Sequence, residues 1–368
     1  MRIVVCALAA LSLSACVSVP QVPNARPLNA SHIETLGPTP VTVSENNTGV
    51  GKAWLAQDSS AAGASQGLIG VLVSVAFDAM MNAGPSRRAT QAADEIAEAV
   101  SVEALNASLV EHFRRQAAVA PAGGVTVSEV KLVQRRTAPI TINDNVEVAS
   151  SYLLSEDATT LQVVFNLSYT NPAVPYVTPY TFEEAPPKSE LSGPLYRNTF
   201  TWYSRQLPVP VLTPELRERL IASIQDSARD ESGALPAEGT DAFKAMTREL
   251  EQARDDQLTK AEIAIFLTRE WSKDNGALLR AEVEQAHAFI ARYALLDMNR
   301  TAIPSLTGLD EIVETLPDGR IVRRLGAGVT AGSYVSSPSE VGSFSTYGNS
   351  VAVAQVHRAR AEAQAAIQ

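Results

Sequence analysis

From Leu161 to Tyr169 every second residue is large and apolar: Leu161, Val163, Phe165, Leu167 and Tyr169. A period of two puts all five side chains on one face of a strand. Alternation this regular, with polar residues mostly between, predicts a strand buried on one side only, as antiparallel sheets allow. A Ser155-Glu156-Asp157-Ala158 turn precedes the run. Before it, Val146, Val148, Tyr152 and Leu154 follow an Asn143-Asp144-Asn145 turn, with Ile140 and Ile142 ahead of that. VTVSEVKLV (125–133) alternates too, with a phase slip between Val127 and Val130 that predicts a bulge. After a proline-rich loop, YRNTFTWYS sets Tyr196, Asn198, Phe200 and Trp202 on one face. These stretches predict an antiparallel meander with one buried face.

Helical spacing surrounds the meander. Ile96, Val100, Leu105, Leu109 and Phe113 form one apolar stripe over 86–118. In LTPELRERLIASI, Thr213 is an N-cap, Pro214 takes the first helical position, and Leu216, Leu220 and Ile224 share a face. Residues 240–272 read as one long or two broken helices ending at Asn275-Gly276. ALLRAEVEQAHAFIARYALLDM then begins another amphipathic helix. ETLPDGRIVRRL reads as a hairpin with a Pro-Asp-Gly turn, 326–349 as a Gly/Ser loop, and the end from Val351 as an exposed helix. The fold class is α+β: an antiparallel sheet carrying packed helices, with a mainly helical second half.

The first residues point to an address. Arg2 is a short positive start, Ile3 to Leu13 is apolar apart from Ser12, and small residues follow. That layout is a secretory signal and is too short to span a bilayer. Leu13-Ser14-Ala15-Cys16 resembles the lipobox of bacterial lipoproteins, a resemblance confined to residues 1–16. It implies cleavage between Ala15 and Cys16, thioether lipidation of Cys16 and acylation of the new amino terminus. Several acyl chains make a stable anchor, whereas one holds only marginally. Val17 and Ser18, in place of an aspartate, favour the outer membrane of a Gram-negative cell, with the chain on its periplasmic face.

Processing at Cys16 removes Cys6 and leaves one thiol, so the fold has to persist without an internal disulfide. Four regions follow: a signal peptide (1–15), a lipidated tether rich in Pro and Ser (16–50), an α+β region with the meander (51–210), and a mainly helical region with a hairpin and Gly/Ser loop (211–368). Fully extended, the tether would reach on the order of 100 Å. Val41 and Val43 within it alternate as an edge strand would. GLIGVLVSVAFDAMM (67–81) is apolar on nearly all sides. As a helix it covers roughly 23 Å, short of a hydrocarbon layer of roughly 30 Å, which leaves a core helix or a membrane-associated or oligomerising one. Gly63, Gly67 and Gly70 would form its close-contact seam.

The formal net charge of −10 makes nucleic acid and anionic headgroups poor partners. Motifs for catalysis are weak. Gly63-Ala64-Ser65-Gln66-Gly67 matches G-x-S-x-G, but AWLAQDSSAA before it is no buried strand. Ser128 and Lys131 match S-x-x-K in a strand, where positions three apart face opposite ways. Gly326, Gly328 and Gly332 follow a strand without a helix to receive a phosphate. The four histidines are dispersed; His287 reads as a partly exposed helix residue, and His357 lies far along the chain. Arg135, Arg136, Arg320, Arg323 and Arg324 read as solvated strand faces.

No catalytic residue, metal site or cofactor is expected beyond the covalent lipid on Cys16. The expected function is a non-catalytic, membrane-anchored, periplasm-facing lipoprotein that binds or scaffolds another envelope component. Its partners would be the bilayer, through the acyl chains, and an envelope protein. An alternative is a carrier of an apolar lipid or glycan, with Tyr196, Phe200 and Trp202 as the ligand or partner face. A serine hydrolase comes third.

Overall fold

The structure, a computed structural model, describes residues 23–52, 84–85, 87–119, 125–134, 144–155, 157–171, 173–174, 193–300 and 308–338. In chain order the helices are α1 (Ala30–Thr35), α2 (87–99), α3 (Val102–Ala118), α4 (Pro214–Ala228), α5 (Asp241–Gln252) and α6 (Lys260–Met298). The strands are β1 (Thr39–Ser44), β2 (Val50–Lys52), β3 (Val127–Val133), β4 (Asn145–Leu154), β5 (Leu161–Thr170), β6 (Tyr196–Tyr203), β7 (Glu311–Thr315), β8 (Ile321–Arg324) and β9 (Tyr334–Ser337). All nine strands form one sheet, ordered β3-β1-β4-β5-β6-β9-β8-β7, with β2 beside β4. The α+β class and the helix-rich second half stand.

The meander is β4-β5-β6, and its register explains the alternation. Val148 pairs with Leu167, Tyr152 with Val163, Phe165 with Phe200 and Val163 with Trp202. All these side chains lie on the face covered by α6 and are buried. A one-residue slip would turn every one of them out to the polar face, so burial fixes the register. The β4–β5 turn is held by Asp157, whose Oδ1 accepts from Ser155 Oγ and from the Thr159 amide and hydroxyl.

Four sequence expectations change here. The antiparallel meander does not include 125–133: β3 lies parallel to β1, and β1 lies parallel to β4. Val41 and Val43 therefore belong to an inner strand, not an edge. Their bulge partner is as expected, since Thr39 to Val41 opposes the longer stretch Val127 to Val130. Pro40, which has no N–H to give a ladder, sits at that irregularity. The tether reading also fails from Pro23 onward. Ala25, Arg26 and Leu28 are buried, and Arg26 forms a bridge with Arg197 through bonds of 2.6 and 3.0 Å. The cause is burial: Leu28, Val41 and Val43 belong to the main apolar core. Finally, the Gly/Ser region contains β9, a strand between β6 and β8 with Tyr334, Val335, Ser336 and Ser337 all buried.

The predicted stripe over 86–118 is two helices, broken at Val100 with Ser101 as the new N-cap, and its five apolar residues are all buried. Thr213 caps α4 as read from sequence. The region 240–272 breaks into α5 and the start of α6, which Thr259 and Glu262 open with a reciprocal capping box. Within α6, Asp274, Asn275 and Gly276 are all left-handed. A Cβ at Gly276 would sit 3.1 Å from Ala99 and Val100, so glycine is needed for both φ and space. Beyond the break, Leu279, Val283, Ala286, Phe289, Ile290 and Tyr293 lie on the sheet. Leu220, Ile224, Met246 and Ala253 make a separate small core for α4 and α5. The sheet and main core draw on residues either side of 210. The segment 67–81 lies outside the described residues. Among the described residues no helix is long and apolar enough to cross a membrane.

Candidate functional site

Where α3 crosses α6, four polar side chains meet. Ser108 and His112 are one turn apart on α3, and Glu284 and His287 are one turn apart on α6. Ser108 Oγ lies 2.8 Å from His287 Nδ1 and also bonds Glu284 Oε1. His112 Nε2 lies 2.8 Å from Glu284 Oε2. Beneath them, Tyr152 of β4 places its hydroxyl 2.7 Å from His287 Nε2. Phe165 and Tyr152 meet the His287 ring edge-on at centroid distances of 6.0 and 5.8 Å.

The chemistry of the partners fixes the protons. Burial raises the Tyr152 pKa well above that of an ordinary phenol, so its O–H is retained and donates to His287 Nε2. His287 Nδ1–H then donates to Ser108 Oγ, and the Ser108 hydroxyl donates to Glu284. Burial pulls the His287 pKa down to about 3, helped by the neighbouring His112 and opposed by Glu284. Burial works to raise the Glu284 carboxyl, but hydrogen bonds from Ser108 and His112 hold it below its ordinary range. The result is a directed chain from a buried phenol through a neutral imidazole to an exposed carboxylate. It can order hydrogen bonds. As a nucleophile's base, however, an imidazole with a pKa of about 3 is far from the near-neutral value that general-base work needs.

Two further buried polar groups lie under α6. Asp297 Oδ2 accepts from Tyr196 at 2.9 Å and from Asn198 Nδ2 at 2.7 Å. Burial raises the Asp297 carboxyl, and these two bonds pull it back only in part. Glu282 Oε2 accepts from Trp202 Nε1 at 3.2 Å and pairs with Arg320 Nη2 at 3.6 Å. The Arg320 guanidinium lies 3.7 Å above the Trp202 ring.

These contacts place the residues singled out from sequence. Tyr196, Phe200 and Trp202 do share a face, but α6 and β9 fill it. Phe200 stacks on Tyr334 at 5.2 Å, Trp202 meets Phe289 at 5.8 Å, and all three are buried. They are core side chains here, not an open ligand face. Arg320 and Arg324 are buried too, which corrects the solvated-strand reading for both; Arg323 is half-buried. His287 is fully buried, against the expectation of partial exposure, because α3 and β4 close over it. His112 joins it at a centroid distance of 6.0 Å, so two of the four histidines converge after all. The pairs Ser108/His112 and Glu284/His287 at helical spacing were the available signal. Ser128 and Lys131 are exposed on the edge strand β3. Gly326 is a packing glycine, since a Cβ there would sit 1.9 Å from the Leu309 carbonyl oxygen. Ala15, Cys16, Ser65, Arg135, Arg136 and His357 lie outside the described residues. Among the described residues no group of three or more His, Cys, Asp or Glu could hold a metal ion.

Comparison of the chain with protein-family models, with curated proteins and with solved structures found no match.

Proposed function

We propose that this chain is a lipid-anchored protein of the outer membrane that faces the periplasm and binds or scaffolds another envelope component without catalysing a reaction. The observation that carries the reading is Leu13-Ser14-Ala15-Cys16 directly after an apolar run. The fold supports the non-catalytic part. Among the described residues, Ser108, His112, Glu284 and His287 are engaged with one another, and His287 is held neutral by burial. The carrier reading is the weaker one, because the aromatic face that motivated it is occupied by α6 and β9.

The test has two parts, both on the full chain in a Gram-negative cell. Metabolic labelling with a fatty acid should mark the wild type and not Cys16→Ala, and a sucrose gradient should place the labelled protein with outer-membrane markers. Cross-linking in intact cells followed by mass spectrometry should then recover a stoichiometric envelope protein. Equal labelling of Cys16→Ala would end the anchor reading. Substrate turnover abolished by Ser108→Ala or Ser65→Ala, with the fold intact, would end the non-catalytic one.

A further inference from the structure

Arg219, Ser223 and Arg269 line two adjoining clefts between α2, α4 and α6, with volumes of about 190 and about 300 Å³. The smaller cleft also presents Arg88 and an apolar wall of Leu220, Ile265 and Phe266. Three guanidinium groups therefore reach one small space from three different helices, in a chain whose net charge is −10.

Glu262 and Glu270 line the smaller cleft and Asp226 the larger, where it pairs with Arg229 at 3.4 Å, and the Glu215 carboxylate acts on Arg219. Glu249 holds Arg88 through Nη1, with side-chain exposures of 12% and 2%. Glu262, which lines the smaller cleft, accepts the Thr259 amide at 2.7 Å in the α6 cap. Glu270 pairs with Lys273 at 3.5 Å, and Glu95 with Arg269 Nε at 3.5 Å. Arg269 Nη1 also donates to Ser223 at 3.3 Å, so its side chain is fixed across the junction of the two clefts. Arg219 is exposed at that junction. A guanidinium fork held in place beside an apolar wall suits a planar anion carrying an apolar body.

We infer that this cleft binds a small amphiphilic carboxylate, its anionic group against Arg219 and Arg269 and its apolar body against Leu220, Ile265 and Phe266. The smaller volume admits a single ring or a short branched chain and excludes a long acyl tail. The inference is independent of membrane anchoring, because it rests on α2, α4 and α6 alone.

Phenylacetate is the probe, with 2-phenylethanol as its neutral counterpart and inorganic phosphate as an anion without an apolar body. Saturation-transfer NMR and thermal shift on the full chain in detergent should show saturable phenylacetate binding with a Kd of about 1 mM or tighter. The neutral alcohol and phosphate should each bind about tenfold more weakly. Arg219→Ala, at an exposed position, should weaken phenylacetate about tenfold without moving the melting midpoint. Arg269→Gln should weaken phenylacetate binding by a similar factor, and circular dichroism checks that it remains folded. Equal binding of the alcohol would show that the arginines play no part, and equal binding of phosphate that the apolar wall plays none. Either result overturns the inference, as does undiminished binding to Arg219→Ala or no phenylacetate binding at all.

Discussion

His287 should make the protein acid-labile, by an amount the structure sets. Its imidazole is fully buried among Tyr152, Phe165, Ser108 and His112, with a pKa of about 3. In the unfolded chain the same group titrates near about 6.5. The folded state thus binds fewer protons, and stability present above the unfolded value is lost as the pH falls toward about 3. Integrating between about pH 7.5 and about pH 4.5 gives a loss of about 3 kcal/mol from this residue. Other groups titrate as well. Asp297 and Glu249, both raised, gain stability as the pH falls, whereas Glu284, which is lowered, loses it. A comparison with His287→Gln cancels most of these, because glutamine can still bond Ser108 and Tyr152 but cannot titrate. Urea unfolding followed by circular dichroism, on the full chain in detergent at a series of pH values, reads the difference. Near neutral pH the variant should be less stable by about 1–2 kcal/mol, for poorer hydrogen-bond geometry. Toward about pH 4.5 that gap should shift by about 3 kcal/mol in all, enough to close it and leave the variant the more stable by about 1–2 kcal/mol. Parallel curves over the whole range would refute the reasoning, since they would mean that His287 titrates alike in both states.

Three other outcomes are expected. Gly276→Ala should cost about 1–2 kcal/mol, from a positive φ and a Cβ forced against Ala99 and Val100, read as a lowered thermal midpoint. Arg320→Met should cost about 3–5 kcal/mol, because it strands the buried Glu282 carboxylate, and adding Glu282→Gln should restore most of that in the same melts. Ser108→Ala should cost about 1 kcal/mol of stability and leave the yield of the cross-linked envelope partner unchanged.

The parts of this fold legible in sequence are those whose partners are close by. Leu161 to Tyr169 announces a one-sided strand because its pairing strands β4 and β6 flank it in the chain. Thr213-Pro214, Pro-Asp-Gly and Asn275-Gly276 are backbone signals that act within a turn of themselves, and each marks the boundary it should. Parallel pairing leaves no such local mark. β1 finds β3 and β4 about a hundred residues later, so Val41 and Val43 look like an edge. β9, buried on both faces between β6 and β8, shows no alternation, and its serines disguise it as a loop. The histidine cluster escaped for the same reason. The helical spacings of Ser108/His112 and Glu284/His287 are local, but that α3 should lie on α6 is not.

The burial of Ala25, Arg26 and Leu28 has a geographical consequence. Pro23, already buried, lies seven residues after Cys16, and a fully extended chain of that length reaches about 25 Å. With Cys16 acylated as proposed, the folded body would hang on a short leash, the first buried residue among those described within about one bilayer core thickness of the membrane surface. Such a protein could patrol only the layer of periplasm next to its own leaflet. A partner would have to come to that layer, as an integral outer-membrane protein does by residence and a soluble one only by diffusion.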